Sequence, residues 1–214
     1  MEDSSGKIAI EAILSKIDGE FTHRVKSYRG IGRIPPGLRP GSDAKKRILL
    51  DQIPRLAAGY GRAFANDPPE YKRVVIVVCD LDTRDKKKFL TEIRAAIDAS
   101  QPSPFYYVCL AIEEGEAWLL GDRDAVLAAY PRANSAVLAS YAYDSICGTW
   151  EKLADAIYPG GSRQLKKLHF SEIGKQKAIW AGQIGTQIDL GRNQSESFQY
   201  FLSKLRHEIA EDGR

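Results

Sequence analysis

The chain has 214 residues, is 43% hydrophobic and carries a formal net charge of +3. This length suits one domain, or one domain with a small appendage, and the apolar content suffices for a packed core, which excludes a disordered chain. No apolar run approaches the roughly 20 residues of a membrane helix and no signal peptide pattern opens the chain, so we expect a cytoplasmic protein.

Apolar periodicity predicts alternating helices and strands in the first two thirds of the chain. In chain order these are a helix around 10–17, a strand over 21–28, a helix over 44–64, a strand over 74–79, a helix over 86–99, a strand over 105–112 and a helix over 113–127. Such alternation favours an α/β fold with a mainly parallel sheet flanked by helices.

The pattern becomes mainly helical after residue 143. Helices are predicted over 150–158, 172–188 and 195–210. We therefore divide the chain into an α/β domain over 1–143 and a helical C-terminal portion over 144–214 that packs on it.

Two carboxylates follow the most apolar predicted strand. Asp80 and Asp82 stand directly after the run over 74–79. Their i, i+2 spacing predicts one shared face, and ligands of open α/β sheets bind beyond the carboxyl ends of the strands. Two such aspartates repel each other, and a hard cation such as Mg²⁺ relieves that repulsion. The alternative is a solvated turn that caps the next helix.

A second acidic group, Glu113, Glu114 and Glu116, lies where the next predicted strand meets a helix. Because the carboxyl ends of neighbouring parallel strands converge, we expect Glu114 or Glu116 to complete or double a metal site with Asp80 and Asp82. The alternative is that acidic residues in a first helical turn only stabilise the helix dipole.

Basic residues form two clusters, over 24–47 with eight cations against one acid, and over 163–177. The residues expected to contact nucleic acid are Arg29, Arg33, Lys45, Lys46, Arg47, Lys175 and Lys177. Lysine and arginine neutralise backbone phosphates while a metal acts on the reacting one, so the combination favours a phosphodiester substrate. An ordinary solvated surface is the alternative.

Several segments together resemble domain-of-unknown-function family 4276, which is Toprim-like and distantly related to the Toprim domains of OLD-type nucleases. The segments that carry the resemblance are 2–5, the glycine loop, 79–82, 111–122, Lys175 with Lys177, Trp180 and 193–198. The resemblance implies a glutamate just after the first strand, matched by Glu2, and an Asp-x-Asp pair, matched by Asp80 and Asp82. It thus implies catalytic roles for these three residues.

The chain departs from the family pattern at its start. In the family an apolar strand precedes the glutamate, whereas here only Met1 precedes Glu2. Losing a central strand exposes unpaired backbone groups, so we expect a misassigned start site and a first strand encoded upstream of Met1.

These observations lead to the hypothesis of a nuclease, or a related phosphodiester-transfer enzyme, that uses Mg²⁺ or Mn²⁺ and acts in phage defence or on mobile elements. One alternative is a non-catalytic module of a defence system that binds nucleic acid or an operon-encoded partner. Another is a haloacid dehalogenase-like phosphohydrolase with Asp80 as nucleophile. That pattern expects threonine or valine where this chain has Arg84.

Overall fold

The structure is a computed structural model that describes residues 1, 3–38, 47–68 and 70–212. Three residues with predicted site roles, Glu2, Lys45 and Lys46, lie outside the described residues. The helices are α1 Ser4–Leu14, α2 Leu49–Phe64, α3 Lys86–Asp98, α4 Glu116–Leu120, α5 Arg123–Ala129, α6 Ser135–Ala139, α7 Thr149–Ile157, α8 Gly161–Leu165, α9 Phe170–Gly185 and α10 Glu196–Asp212. The strands are β1 Val75–Asp80 and β2 Tyr106–Ala111, and a short 3₁₀ turn spans Pro36–Leu38.

The two strands pair in parallel, from Val75 opposite Tyr106 to Asp80 opposite Ala111. Alternate residues of a strand point to opposite faces. Val78 accordingly joins an apolar core with α1, α4, α9 and α10, whereas Cys79 joins a second core with α2 and α3. The molecule is therefore mixed α/β and 52% helical, and within the described residues its sheet has two strands.

Most of the predicted elements are present, with three differences. The segment predicted as a strand over 21–28 forms no strand; Tyr28 N–H instead donates to the Met1 carbonyl at 3.0 Å. The helix predicted over 113–127 is two short helices, because the buried Asp122 carboxylate accepts from Ala125 N–H at 3.1 Å and begins α5 anew. Helices α6 and α8 were not predicted, since five residues are too few to establish a helical period.

Helix α9 packs along α1 and joins the C-terminal third of the chain to the sheet. Gly185 permits close approach, since a Cβ at that position would lie 3.1 Å from the Ala12 Cβ. Ile13 of α1 and Trp180 and Ile184 of α9 are buried in the same core. This packing brings the middle of α9 to the carboxyl ends of the strands. The division of the chain at residue 143 stays a prediction.

Among the described parts of the chain, no helix combines the length and the apolarity needed to cross a membrane.

Candidate acidic site at the carboxyl ends of the strands

The first predicted ligand, Asp80, is the last residue of β1, and its strand partner Ala111 ends β2. The backbone leaves the extended conformation two residues later, where Asp82 has φ +50°. Side-chain alternation requires an extended chain. Asp82 therefore does not follow the strand alternation from which one shared face with Asp80 was predicted.

Asp82 forms an ion pair with Arg84, and its side chain is 44% exposed. The Arg84 guanidinium also lies over the Phe89 ring, 5.0 Å from its centroid. Asp82 thus lies on the surface beside α3, where an arginine already neutralises it.

Glu113 begins the connection from β2 to α4 in another left-handed conformation, with φ +61°. Its carboxylate accepts hydrogen bonds from the N–H groups of Cys147 at 3.0 Å, Gly148 at 2.9 Å and Thr149 at 2.8 Å, and from the Thr149 hydroxyl. Burial opposes its ionisation, but these four hydrogen bonds prevail and lower the pKa of Glu113. Glu113 therefore caps the N-terminus of α7.

Glu116 and Glu114 instead face a lysine from α9. The Lys177 Nζ lies 3.1 Å from Glu116 Oε2 and 3.6 Å from Glu114 Oε2. Glu116 is buried, with 3% of its surface exposed. Burial disfavours the ammonium, but the neighbouring carboxylates outweigh that effect and raise the pKa of Lys177. The lysine is thus held charged inside the protein.

Glu114 is incompletely satisfied in this arrangement. Its Oε2 is buried and has no hydrogen-bond partner among the described residues. Burial raises the pKa of Glu114 to about 7; Lys177 opposes this rise, and the charge of Glu116 adds to it. A carboxyl group with such a pKa takes up and releases protons near neutral pH.

Asp3 completes the cluster from the start of α1. Its carboxylate caps that helix, accepting from Gly6 N–H at 2.7 Å and from the Ser5 hydroxyl at 2.6 Å. Asp3, Asp80, Glu116 and Lys177 line a cavity of about 20 Å³. A cavity of this size holds about one water molecule or one small ion.

Several carboxylates converge on one lysine in this cluster. Asp3, Asp80, Glu114 and Glu116 all act on the ammonium of Lys177. Glu114 Oε2 lies 3.6 Å from Lys177 Nζ and accepts no hydrogen bond among the described residues, so it has lone pairs left for a cation. Carboxylate oxygens are the ligands that Mg²⁺ and Mn²⁺ prefer, so the residues present fit a divalent cation in chemistry. Within the described ranges, however, no three Asp, Glu, His or Cys side chains are already gathered as a metal ligand set.

Comparisons with protein-family models, curated proteins and solved structures give no match. The resemblance to family 4276 therefore remains a prediction from the motifs.

The predicted nucleic-acid contacts fall into two groups. Arg29, Arg33 and Arg47 are exposed, and Arg33 lines a groove of about 520 Å³ together with Arg84 and Phe89. Arg47 also donates to the Ser27 carbonyl. These three arginines remain accessible to a ligand.

The two lysines of α9 differ from each other. Lys175 is exposed and pairs with Glu172 at 2.6 Å, whereas Lys177 is only 18% exposed and pairs with the acidic cluster. Sequence reasoning placed Lys177 on the surface and did not include Asp3 in the site. The helical period of α9 could have indicated an inward Lys177, because Trp180, Ala181 and Ile184 lie near it on the buried side.

Proposed function

We propose that this protein is a Toprim-like, metal-dependent nuclease or a related phosphodiester-transfer enzyme. The observation that carries the proposal is the convergence of Asp80, Glu114 and Glu116 around Lys177 at the carboxyl ends of the two described parallel strands. Ligands of α/β proteins bind at this edge, and a divalent cation is the natural counter-charge for such a cluster.

Asp80 with Glu116 or Glu114 would hold the metal. When bound, the ion would lower the pKa of a water molecule and stabilise charge on the phosphate. Lys177 orients Glu116 through their 3.1 Å contact and adds positive charge beside the reacting phosphate. Where Glu116 is the ligand, Glu114, with a pKa of about 7, is suited to accept a proton from the attacking water or to return it to the leaving oxygen.

Other residues have more distant roles in this proposal. Asp82 can join the ligand set only by giving up its ion pair with Arg84. Exposed Arg29, Arg33 and Arg47 would contact backbone phosphates outside the cavity, which is too small for a nucleotide. A role for Glu2 as general base or ligand follows from the family resemblance alone.

A second candidate is a non-catalytic module that binds nucleic acid or a partner protein. Lys177 favours it, because an internal ammonium already offsets part of the negative charge that a metal would otherwise neutralise. This module would bind nucleic acid in a salt-dependent way and without a requirement for divalent metal.

The proposal is tested by incubating the protein with single-stranded and double-stranded DNA and RNA in Mg²⁺ or Mn²⁺. We expect metal-dependent cleavage, and we expect Asp80→Asn to slow it more than about a hundredfold, since even the partners of metal ligands are worth about 10–100-fold. The matched control is Asp18→Asn on an exposed loop, which should cleave like the parent protein. Equal cleavage by Asp80→Asn refutes the assignment, and no cleavage by a folded protein in Mn²⁺ favours the binding module.

A further inference from the structure

We propose that α9 guides a single-stranded nucleic acid into the acidic site, with Phe170 as the side chain on which a base stacks. This inference rests on the proposed function and deepens it by naming the class of substrate. We call the corner between α8 and α9 the Phe170 surface, which consists of the exposed residues Leu168, His169, Phe170 and Gly174. Three features of this surface support the inference.

The first feature is an aromatic side chain that the fold leaves in solvent. Phe170 is 77% exposed at the first position of α9. The His169 ring lies beside it, with 4.3 Å between the ring centroids. The two rings are tilted by 43° to each other, and both side chains are exposed to solvent. Stacking on such side chains is how many proteins hold bases without reading their sequence.

The second feature is the positive charge around this surface. Arg163, Lys166, Lys167 and Lys175 are exposed and lie within seven residues of Phe170 along the chain. Lys166 pairs with Glu151 and lies over the Trp150 ring, and Lys175 pairs with Glu172. Ion pairs between such partly exposed side chains exchange partners at little cost. Arg163 and Lys167 form no ion pair within the described chain. A phosphate backbone therefore meets several available cations here.

The third feature is the face of α9 that runs from exposed Phe170 to Lys177, which contacts the acidic cluster and is 18% exposed. Phe170, Gly174 and Lys177 are spaced i, i+4 and i+7, so they share one face of α9 over about 10 Å. A Cβ built on Gly174 would meet no atom within 4 Å. Glycine is unfavourable inside a helix and packing does not require it here, so Gly174 leaves this part of the α9 face free of a side chain.

The features favour a single strand over the other polyanions that this surface could meet. In a duplex the base faces are already stacked on one another, so a phenylalanine reaches one only by forcing a base step apart. A single strand offers its base faces without that cost. A membrane surface requires a helix with a long apolar face, but here Leu168 and Phe170 are separated by His169 and flanked by Lys167 and Ser171.

The test is the affinity of the full chain for fluorescent single-stranded DNA and RNA oligonucleotides, measured by anisotropy in EDTA so that cleavage cannot occur. We expect Phe170→Ala to weaken binding on the order of tenfold, and Gly174→Leu to weaken it several-fold by covering the part of the α9 face that Gly174 leaves free. The matched control is Phe105→Ala, which removes another exposed phenylalanine, 56% exposed, at the opposite end of β2. Circular dichroism verifies folding of each variant.

The outcomes separate this inference from the proposed function. If Phe170→Ala binds single strands as tightly as the parent, the inference fails, even where Asp80→Asn abolishes cleavage. If Phe170→Ala binds single strands more weakly but the parent protein cleaves no nucleic acid in Mn²⁺, the inference stands and the proposed function fails. Phe170-dependent binding to phosphatidylserine vesicles without binding to oligonucleotides overturns the inference in favour of a membrane surface.

Discussion

Lys177→Met is expected to lower the free energy of unfolding by about 3–5 kcal/mol at pH 8, because it leaves buried carboxylates without their counter-charge. The Lys177 Nζ lies 3.1 Å from Glu116 Oε2, and Glu116 is 3% exposed. Methionine preserves the length and apolar character of the stem, so most of the loss reflects the charge. Urea denaturation of the variant and the parent measures it.

The loss should shrink in acid. At pH 5, well below the pKa of about 7, Glu114 of the Lys177→Met variant takes up a proton, which removes part of the uncompensated charge. Lys175→Met is the matched control, two residues earlier on the same helix, with a side chain that is 67% exposed. It should cost less than about 1 kcal/mol at either pH. Equal effects of the two substitutions would show that Lys177 is not held inside the acidic cluster.

Replacing Glu113 or Glu114 by glutamine should change the free energy of unfolding, and the two changes should depend on pH in opposite ways. In the folded protein the pKa of Glu114 is raised to about 7, so it binds a proton more tightly than in the unfolded chain. It therefore reduces stability progressively between about pH 4.5 and pH 7. Glu114→Gln should remove this loss and be more stable than the parent at pH 8, by about 1–3 kcal/mol, but not at pH 4.5.

Glu113 affects stability in the opposite direction, because its pKa is lowered in the folded protein. Its stabilising effect is present above its ordinary pKa and is lost as the pH falls through the folded value. Glu113→Gln weakens the cap of α7, so it should cost about 1–2 kcal/mol at pH 8 and less in acid. Thermal unfolding in EDTA across this pH range measures both variants. Parallel profiles would contradict the distinction between a cap and an unsatisfied buried carboxyl.

The sequence predicted the parallel strands because each is an apolar run of strand length with clear boundaries, and it predicted α3 and α10 from their periodic apolar faces. It did not predict that 21–28 forms no strand, because strand pairing depends on a partner distant in sequence. The break before α5 also depends on a distant contact, since Arg192 donates to the Asp122 carboxylate at 2.8 Å.

The site was predictable only where local sequence determines it. The spacing of acidic residues after each strand identified Asp80, Glu114 and Glu116 as neighbours. Local sequence does not show that Glu113 caps α7 whereas Glu114 faces Lys177. This difference depends on where α7 and α9 lie, since Thr149 and Lys177 are more than 30 residues away along the chain. Asp3 reaches the cavity only because α1 packs along α9.

The most direct test of a metal site at the strand ends is a Mn²⁺ titration followed by electron paramagnetic resonance. The parent protein should bind Mn²⁺ and be competed by Mg²⁺, whereas Asp80→Asn should bind it more than about tenfold more weakly and Asp18→Asn should match the parent. Absence of bound Mn²⁺ in the folded parent, or equal binding by Asp80→Asn, would contradict the account.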